Sequence, residues 1–483
     1  MYSYKLRQST LEITGAEATE LAIDPLLFLV STLFILGTGL LILRIYPYFV
    51  KLIFYLGRNK WSPVLYASFI QVGRSGGQDR FLMLFLILTL SIGVFNANAA
   101  RTLNNNLEEK IYYANGADIV LEAYWPSNQP KFMPMEPMGE AYSSSNKEPV
   151  QYIEPPFLPY TELKGVELAT KVFINDSVTV QNSTRDYTGR TTLMGIIPNE
   201  FGKVAWFRND LLKTHWYHYL NLMSHHPMAA LVSRSFAEEH NVRKGDSLWL
   251  SWGDQGYLEV IVYEFVDYWP TYNPKAKQGK ESANLVVANL DYIQANSALE
   301  PYQVWLKKEP GATSGQIYQD IEDKGLQIEK LTDAGQQIII KKNDPMVQGT
   351  NGALTLGFIV TMSVSTIGFL IYWILSIRQR ELQFGISVKK VIGLLACEQV
   401  LISGTAILVG VIIGGIASDL FVPLLQMAYS AAQQVPPFKV VAAREDYIKI
   451  YMVVLSMLAV GLSVLGIIIS KIKIYQAIKL GED

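Results

Sequence analysis

Five apolar runs bracket one polar stretch of ordinary domain size, and that arrangement leaves the chain few ways to fold. A helix needs about 20 mostly apolar residues to cross a hydrocarbon core. Segments 26–43, 81–100, 352–377, 391–417 and 447–470 meet or approach that length, and residues 101–350 lose the hydropathy altogether. Only 17% of the 483 residues are charged, against about 25% in a typical soluble chain. The expected fold is a membrane protein with an α-helical transmembrane bundle of about five spans and a large α+β extracytoplasmic domain.

Charge decides the sides, because basic residues in short loops mark the cytoplasmic face. Arg44, Lys51, Arg58, Lys60, Arg74 and Arg80 lie between the first two spans. Arg378, Arg380, Lys389 and Lys390 follow the third, and Lys471, Lys473 and Lys479 lie in the tail. The loop 418–446 holds only Lys439 and Arg444, beside Asp419, Glu445 and Asp446. With five spans every basic loop falls on one side, which puts 101–350 and the N-terminus outside. Segment 45–61, interrupted by Pro47 and Lys51, reads as an interfacial segment, and 62–72 as an amphipathic surface helix. No basic stretch leads into a short apolar run with a small-residue cleavage site, so no cleaved signal peptide is expected. The single cysteine, Cys397, has no partner within the chain, so the outer domain depends on its core rather than on disulfides.

Within the insert, β-branched runs predict strands at 169–180, 190–197, 284–290, 303–307 and 326–331, with a hairpin formed by 247–252 and 257–265. Helices are expected at 209–222, 233–240 and 314–324, and from Asp333 onward into the membrane. Residues 124–159 are rich in proline and include Met133, Met135 and Met138. They read as a covering loop or, given how readily methionine repacks, as an adaptable apolar contact.

Catalytic chemistry is sparse. A net charge of -2 argues against a nucleic-acid partner, which calls for a basic face. Gly279-Lys280-Glu281 is the nearest approach to a phosphate-cradling loop and lacks its first glycine and its hydroxyl residue. H-E-x-x-H does not occur, and the G-x-S-x-G match at 73–77 follows 62–72, a helix rather than the strand that a nucleophile elbow requires, so no elbow is expected. His215 and His218 have a spacing compatible with a metal, with no cysteine or placed carboxylate to complete a site. They read as weak metal candidates and better as a surface patch. Glu398 falls inside the fourth run, where a carboxylate is costly unless paired or near the interface. Gly404, Gly410, Gly414 and Gly415 on the same helix would let another helix approach closely, with Gly410 and Gly414 forming a G-x-x-x-G pair.

Arg378-Gln379-Arg380-Glu381 with Phe384-Gly385, at the exit of the third run, is similar to the cytoplasmic motif of the FtsX-like, MacB-type ABC transporter permeases. Residues 61–80 resemble the elbow helix before that family's first span. Leu193-Met194-Gly195-Ile196-Ile197-Pro198-Asn199-Glu200-Phe201 and the stretch from Val232-Ser233 to Ser247-Leu248 are similar to its periplasmic core, and Glu398 falls where its next helix usually carries a glutamate. The resemblance covers 62–483, and the extra first span looks like the end of a preceding repeat in longer, two-repeat permeases. One departure stands out: Ile386 runs straight into Ser387-Val388-Lys389-Lys390, without the family's intervening R-A-x-G-type stretch.

The resemblance implies four parts: a span with interfacial segment (1–60), an elbow helix and span (61–100), a MacB-like outer domain (101–350) and a three-span permease domain (351–483). It implies a multi-pass subunit in a bacterial plasma membrane, in contact with membrane lipid, pairing with a second permease subunit or half and with separate ABC ATPase subunits. This chain would bind no cofactor; the partner subunit would use ATP. Arg378, Arg380, Glu381, Phe384, Gly385, Lys389 and Lys390 would carry the coupling contact, and Glu398, Gly410 and Gly414 the helix packing. The alternatives are a membrane-tethered sensor or binding protein without ATPase coupling, and a membrane metalloenzyme using the histidines.

Overall fold

The computed structural model describes residues 25–57, 61, 63–74, 77–128, 150–182, 187–253, 256–278, 281–380, 388–428, 434–456, 459–460 and 463. The chain divides into a unit of Met1–Asn106, Asp344–Ser430 and Phe438–Asp483, and a second of Leu107–Asn343 with Ala431–Pro437.

The first unit is helical: α1 (Pro25–Gly57), α2 (Pro63–Arg74), α3 (Gly77–Asn115, which continues into the second unit), α4 (Pro345–Arg380) and α5 (Val388–Phe421). Among the described residues four stretches, Val30–Gly57, Met83–Asn115, Pro345–Gly368 and Val400–Leu425, are long and apolar enough to cross a membrane. Residues 444–456 are also helical; of the predicted fifth span, 457–458, 461–462 and 464–470 lie outside the described residues. The sequence separates a span at 26–43 from an interfacial segment at 45–61 interrupted by Pro47 and Lys51, whereas α1 runs from Pro25 to Gly57 through both. Leu43, Tyr46 and Val50 share one buried stripe that passes the proline, and the Tyr46 hydroxyl donates to the Leu401 carbonyl of α5 at 3.4 Å. Packing on that stripe offsets the one backbone hydrogen bond that proline removes.

The hub of this unit is α3. Its residues Met83, Leu86, Ile87, Leu90 and Val94 are buried, and glycines on two neighbours and on α3 itself let the helices come close. A methyl added at Gly410 of α5 would lie 2.8 Å from Leu90 Cβ, and one at Gly414 2.8 Å from the Ser91 carbonyl oxygen. On the α1 side, Gly39 would meet Leu84 at 3.3 Å, and Gly93 of α3 itself would meet Phe358 of α4 at 2.8 Å. Leu33, Leu41, Ile359, Val364, Leu408 and Ile412 point outward, exposed. Leaving such surface in water forgoes about 25 cal/mol per Å², a cost absent when hydrocarbon surrounds the helices.

In the second unit a mixed sheet is built from β1 (Ile119–Ala123), β2 (Val166–Gln181), β3 (Tyr187–Ile196), β4 (Ala229–Ser233), β5 (Ser247–Ser251), β6 (Leu258–Val266), β9 (Leu285–Asn289), β10 (Gln303–Lys308) and β11 (Ile328–Asp333). The short pair β7 (Lys277–Gln278) and β8 (Glu281–Ser282) stands apart. The order is β11-β1-β10-β2-β3-β9-β4-β6-β5. The long strand β2 also pairs its tip with β5, Val180 opposite Leu250, so β2-β3-β9-β4-β6-β5 close on themselves. Alternation along the strands feeds two cores. Val232, Leu248, Val260, Val286 and Ala288 fill one. Leu231, Leu285 and Val287 turn to the other, where the helices Pro198–Val204 and Trp216–His225 pack with Trp269 and Trp305. Most predicted strands appear within a residue or two of their expected ends, including the β5–β6 hairpin. The helix expected at 209–222 forms instead at Trp216–His225.

Candidate functional site

Four places in this chain carry chemistry that packing alone does not require. The first is the exit of α4. Arg378 and Arg380 occupy its last turn, and Lys389 and Lys390 lie in the first turn of α5. Glu381, Phe384 and Gly385 lie outside the described residues.

The second is the α3–α5 seam. Gly410 and Gly414 lie directly on α3, while Gly404 and Gly415 have nothing within 4 Å. The Ser91 hydroxyl donates to the Gly410 carbonyl at 2.9 Å across the seam. Glu398 is buried on α5, four residues before Ile402, which packs with Phe69 and Val72 of α2.

The third, which the sequence reading missed, is a polar clamp on the outer part of α3. Asn98 Nδ2 donates to Ser418 Oγ (3.0 Å) and to the Tyr447 hydroxyl (3.2 Å). Arg101 Nε and Nη2 donate to the two oxygens of Asp446 at 2.5 and 2.9 Å. Thr102 Oγ1 accepts from the Val441 N–H at 3.0 Å. Asn98, Thr102 and Ser418 are buried. Polar residues at 98, 102 and 106 on one face of an apolar helix were the available signal.

The fourth is a tether. Residues 434–437 belong to the α+β unit although the chain on either side of 431–437 belongs to the helical one. Val435 is buried with Tyr113 and Leu211. Arg208 Nη2 donates to the Pro437 carbonyl at 2.8 Å, while Nη1 holds Glu109 and Nε holds Asp210 at 2.6 Å.

His215 and His218 do not form one helix face. His215 is the N-cap of Trp216–His225, where its Nδ1 accepts from the Tyr217 N–H at 3.3 Å. His218 lies one turn into the helix with its ring edge-on to Tyr219. Among the described residues no three His, Cys, Asp or Glu side chains converge as a metal would need. The proline- and methionine-rich stretch falls mostly at 129–149, outside the described residues.

The α+β unit also carries an open groove of about 530 Å³ over one face of the sheet. Its floor includes Val120, Ile174 and Leu285; Glu122, Gln303 and Lys330 stand at one end, Asp176, Thr192 and Asn284 at the other.

No known family model matches this chain, and no curated protein matches it. Among solved structures it is similar to the extracellular domain of the noncanonic ABC-type transporter YknZ from Gram-positive bacteria, at 16% identity over 35% of this chain and 85% of that one, TM-score 0.25. It is similar to a domain of a putative permease protein from Porphyromonas gingivalis at 15% identity over 34% and 70%, TM-score 0.22. It is also similar to the periplasmic region of MacB from Actinobacillus actinomycetemcomitans at 8% identity over 47% and 95%, TM-score 0.28.

Proposed function

We propose that the chain is the permease subunit of an ABC-type transporter in a bacterial plasma membrane. It would couple the closure of separate ATPase subunits to movement of an extracytoplasmic domain, for export or extraction of a peptide, lipid or lipoprotein. The observation that carries this reading is the tether. The α+β unit is joined to the helical unit through α3, through Asn343–Asp344, and again through the segment around Val435. A shift of the helices therefore pulls on the outer domain at several covalent points, as a mechanical transmission requires. The tether also supports the sidedness read from charge. The chain leaves the α+β unit at Asn343 and re-enters it at Ala431, so α4 and α5 between them make an even number of crossings.

In this reading Arg378, Arg380, Glu381, Phe384, Gly385, Lys389 and Lys390 form the cytoplasmic grip on the ATPase, with arginine charge and one aromatic anchor supplying the contact. Glu398, Gly410 and Gly414 keep α5 in register with its neighbours. ATP chemistry belongs to the partner, and a second permease subunit or half completes the assembly. The domains fall at 1–60, 61–100, 101–350 and 351–483.

Co-purification of the full chain from its host membrane tests the proposal. An ATP-binding subunit should accompany the wild type and be lost with Arg380→Glu. Retention by that variant would remove the grip from 378–390, and no ATP-binding subunit with the wild type would leave a sensor without ATPase coupling.

A further inference from the structure

The groove over the sheet is not needed by a transmission, and its chemistry has a direction. Its volume of about 530 Å³ falls within the range of small-ligand sites, about 300–1,000 Å³. Its Glu122 carboxylate is neutralised by a lysine, and its Asp176 carboxylate is held by a hydroxyl. Glu122 Oε1 accepts from Gln303 Nε2 at 3.1 Å and from Lys330 Nζ at 3.2 Å, and Asp176 Oδ1 accepts from the Thr192 hydroxyl at 3.1 Å. What remains on the walls is neutral and hydrogen-bonding: the amides of Asn115 and Asn284 and the hydroxyls of Thr192, Thr271 and Thr332. An amide offers both donors and an acceptor, and a hydroxyl one donor and two acceptor sites. Asn115 uses one donor on Gln337 and Asn284 its oxygen on Ser235, so each amide retains capacity toward a ligand.

Other ligand classes fit less well. The floor is a sheet face whose main-chain groups are spent in the ladders, so an extended peptide finds no backbone ladder there. The floor's apolar share is small, with Val120 and Leu285 buried and Ile174 half-buried, too little for an acyl chain. An anionic ligand would have to face Asp176 and break the Glu122–Lys330 pair. At the rim, Thr271 holds φ +67°, which a β-branched residue adopts only under constraint, and its N–H donates to the Tyr113 carbonyl at 2.8 Å. Strain held in a rim is a mark of a shaped site.

We propose that this groove binds a short uncharged saccharide, its hydroxyls bonded by Asn115, Asn284, Thr192 and Thr332 and its C–H faces laid on Ile174. The site stands on the α+β unit's own geometry; only the outward setting of that unit rests on the permease reading, which ATPase co-purification tests separately.

The test uses the full chain in lipid nanodiscs free of alkyl-glycoside detergent, with saturation-transfer NMR against maltose, cellobiose and N,N′-diacetylchitobiose, and tri-alanine as the peptide probe. At least one disaccharide should give transfer, falling at least tenfold in Thr192→Val/Thr332→Val, which keeps shape and strand preference while removing both hydroxyls. Ala276→Phe, which fills the groove from its rim, should abolish it. Absence of transfer from all three sugars overturns the proposal. So does transfer that both variants retain, or tri-alanine that binds and competes.

Discussion

Arg101 grips Asp446 through two parallel N–H···O bonds, 2.5 and 2.9 Å long, joining α3 to the start of the helix at 444–456 across 345 residues of chain. The pair sets the upper end of a clamp whose lower members are Asn98, Ser418 and Tyr447. A double-mutant cycle with Arg101→Ala and Asp446→Ala should give a coupling of about 1 kcal/mol, the upper end for exposed pairs, since the arginine is more than a third open to solvent. Thermal unfolding of the four proteins in one lipid environment reads it, and a coupling near zero would reduce the contact to a surface pair.

Gly414→Val should destabilise the helical unit by about 1–3 kcal/mol, the usual range for overpacking. The new Cβ would stand 2.8 Å from the Ser91 carbonyl oxygen, and a backbone atom in mid-helix has nowhere to go. Gly404→Ala, with nothing within 4 Å, should leave the melting midpoint unchanged. Equal effects from both would place the α3–α5 seam elsewhere.

Val435→Asp should separate binding from transmission. A carboxylate at 435 would stand among the apolar groups of Tyr113 and Leu211, and burying a charge there is costly. On the proposed permease function, an ATP-binding subunit should still co-purify, while nucleotide-dependent protease protection of the α+β unit disappears. Unchanged protection would remove the tether from the mechanism.

Asp333 makes a pH prediction. It caps the helix Ala334–Lys342, with Oδ1 accepting from the Gln336 N–H (3.1 Å) and Oδ2 from the Tyr318 hydroxyl (2.8 Å). Burial pushes its carboxyl up, but hydrogen bonds from Ser314, Tyr318 and the Gln336 N–H outweigh burial and hold it below its usual value. The ionised cap therefore contributes stability in full above the ordinary Asp value of about 3.9, and that stability is lost as pH falls through the lower folded value. Asp333→Ala should cost about 1–2 kcal/mol at neutral pH, as lost caps do, and the difference from wild type should shrink in acid. A difference constant down to acid would assign the loss to packing.

Much of the architecture was legible because bilayer length and strand alternation are local signals. The apolar runs gave the helices, and the β-branched runs around Val178, Leu193 and Val262 gave strands. β1 was not legible: Ile119–Ala123 follows a 39-residue helix with only Gly116, Ala117 and Asp118 between, Gly116 at φ +82°, and a single glycine is weak punctuation. The expected separation of 26–43 from 45–61 is not seen, because packing of Leu43, Tyr46 and Val50 carries one helix through Pro47. The clamp and the tether were hidden for a different reason. Asn98 and Tyr447, or Arg208 and Pro437, lie more than 200 residues apart, and nothing in either neighbourhood names the other.

The seating of Val435 also fixes an order of assembly. Its pocket between Tyr113 and Leu211 is built from chain made early, yet its occupant comes after the chain for both α4 and α5. Synthesis runs from the N-terminus at about 5–20 residues per second, so for some seconds the outer domain stands with an unfilled apolar notch and Arg208 short of one acceptor. It reaches its final form only when the later helices have been placed.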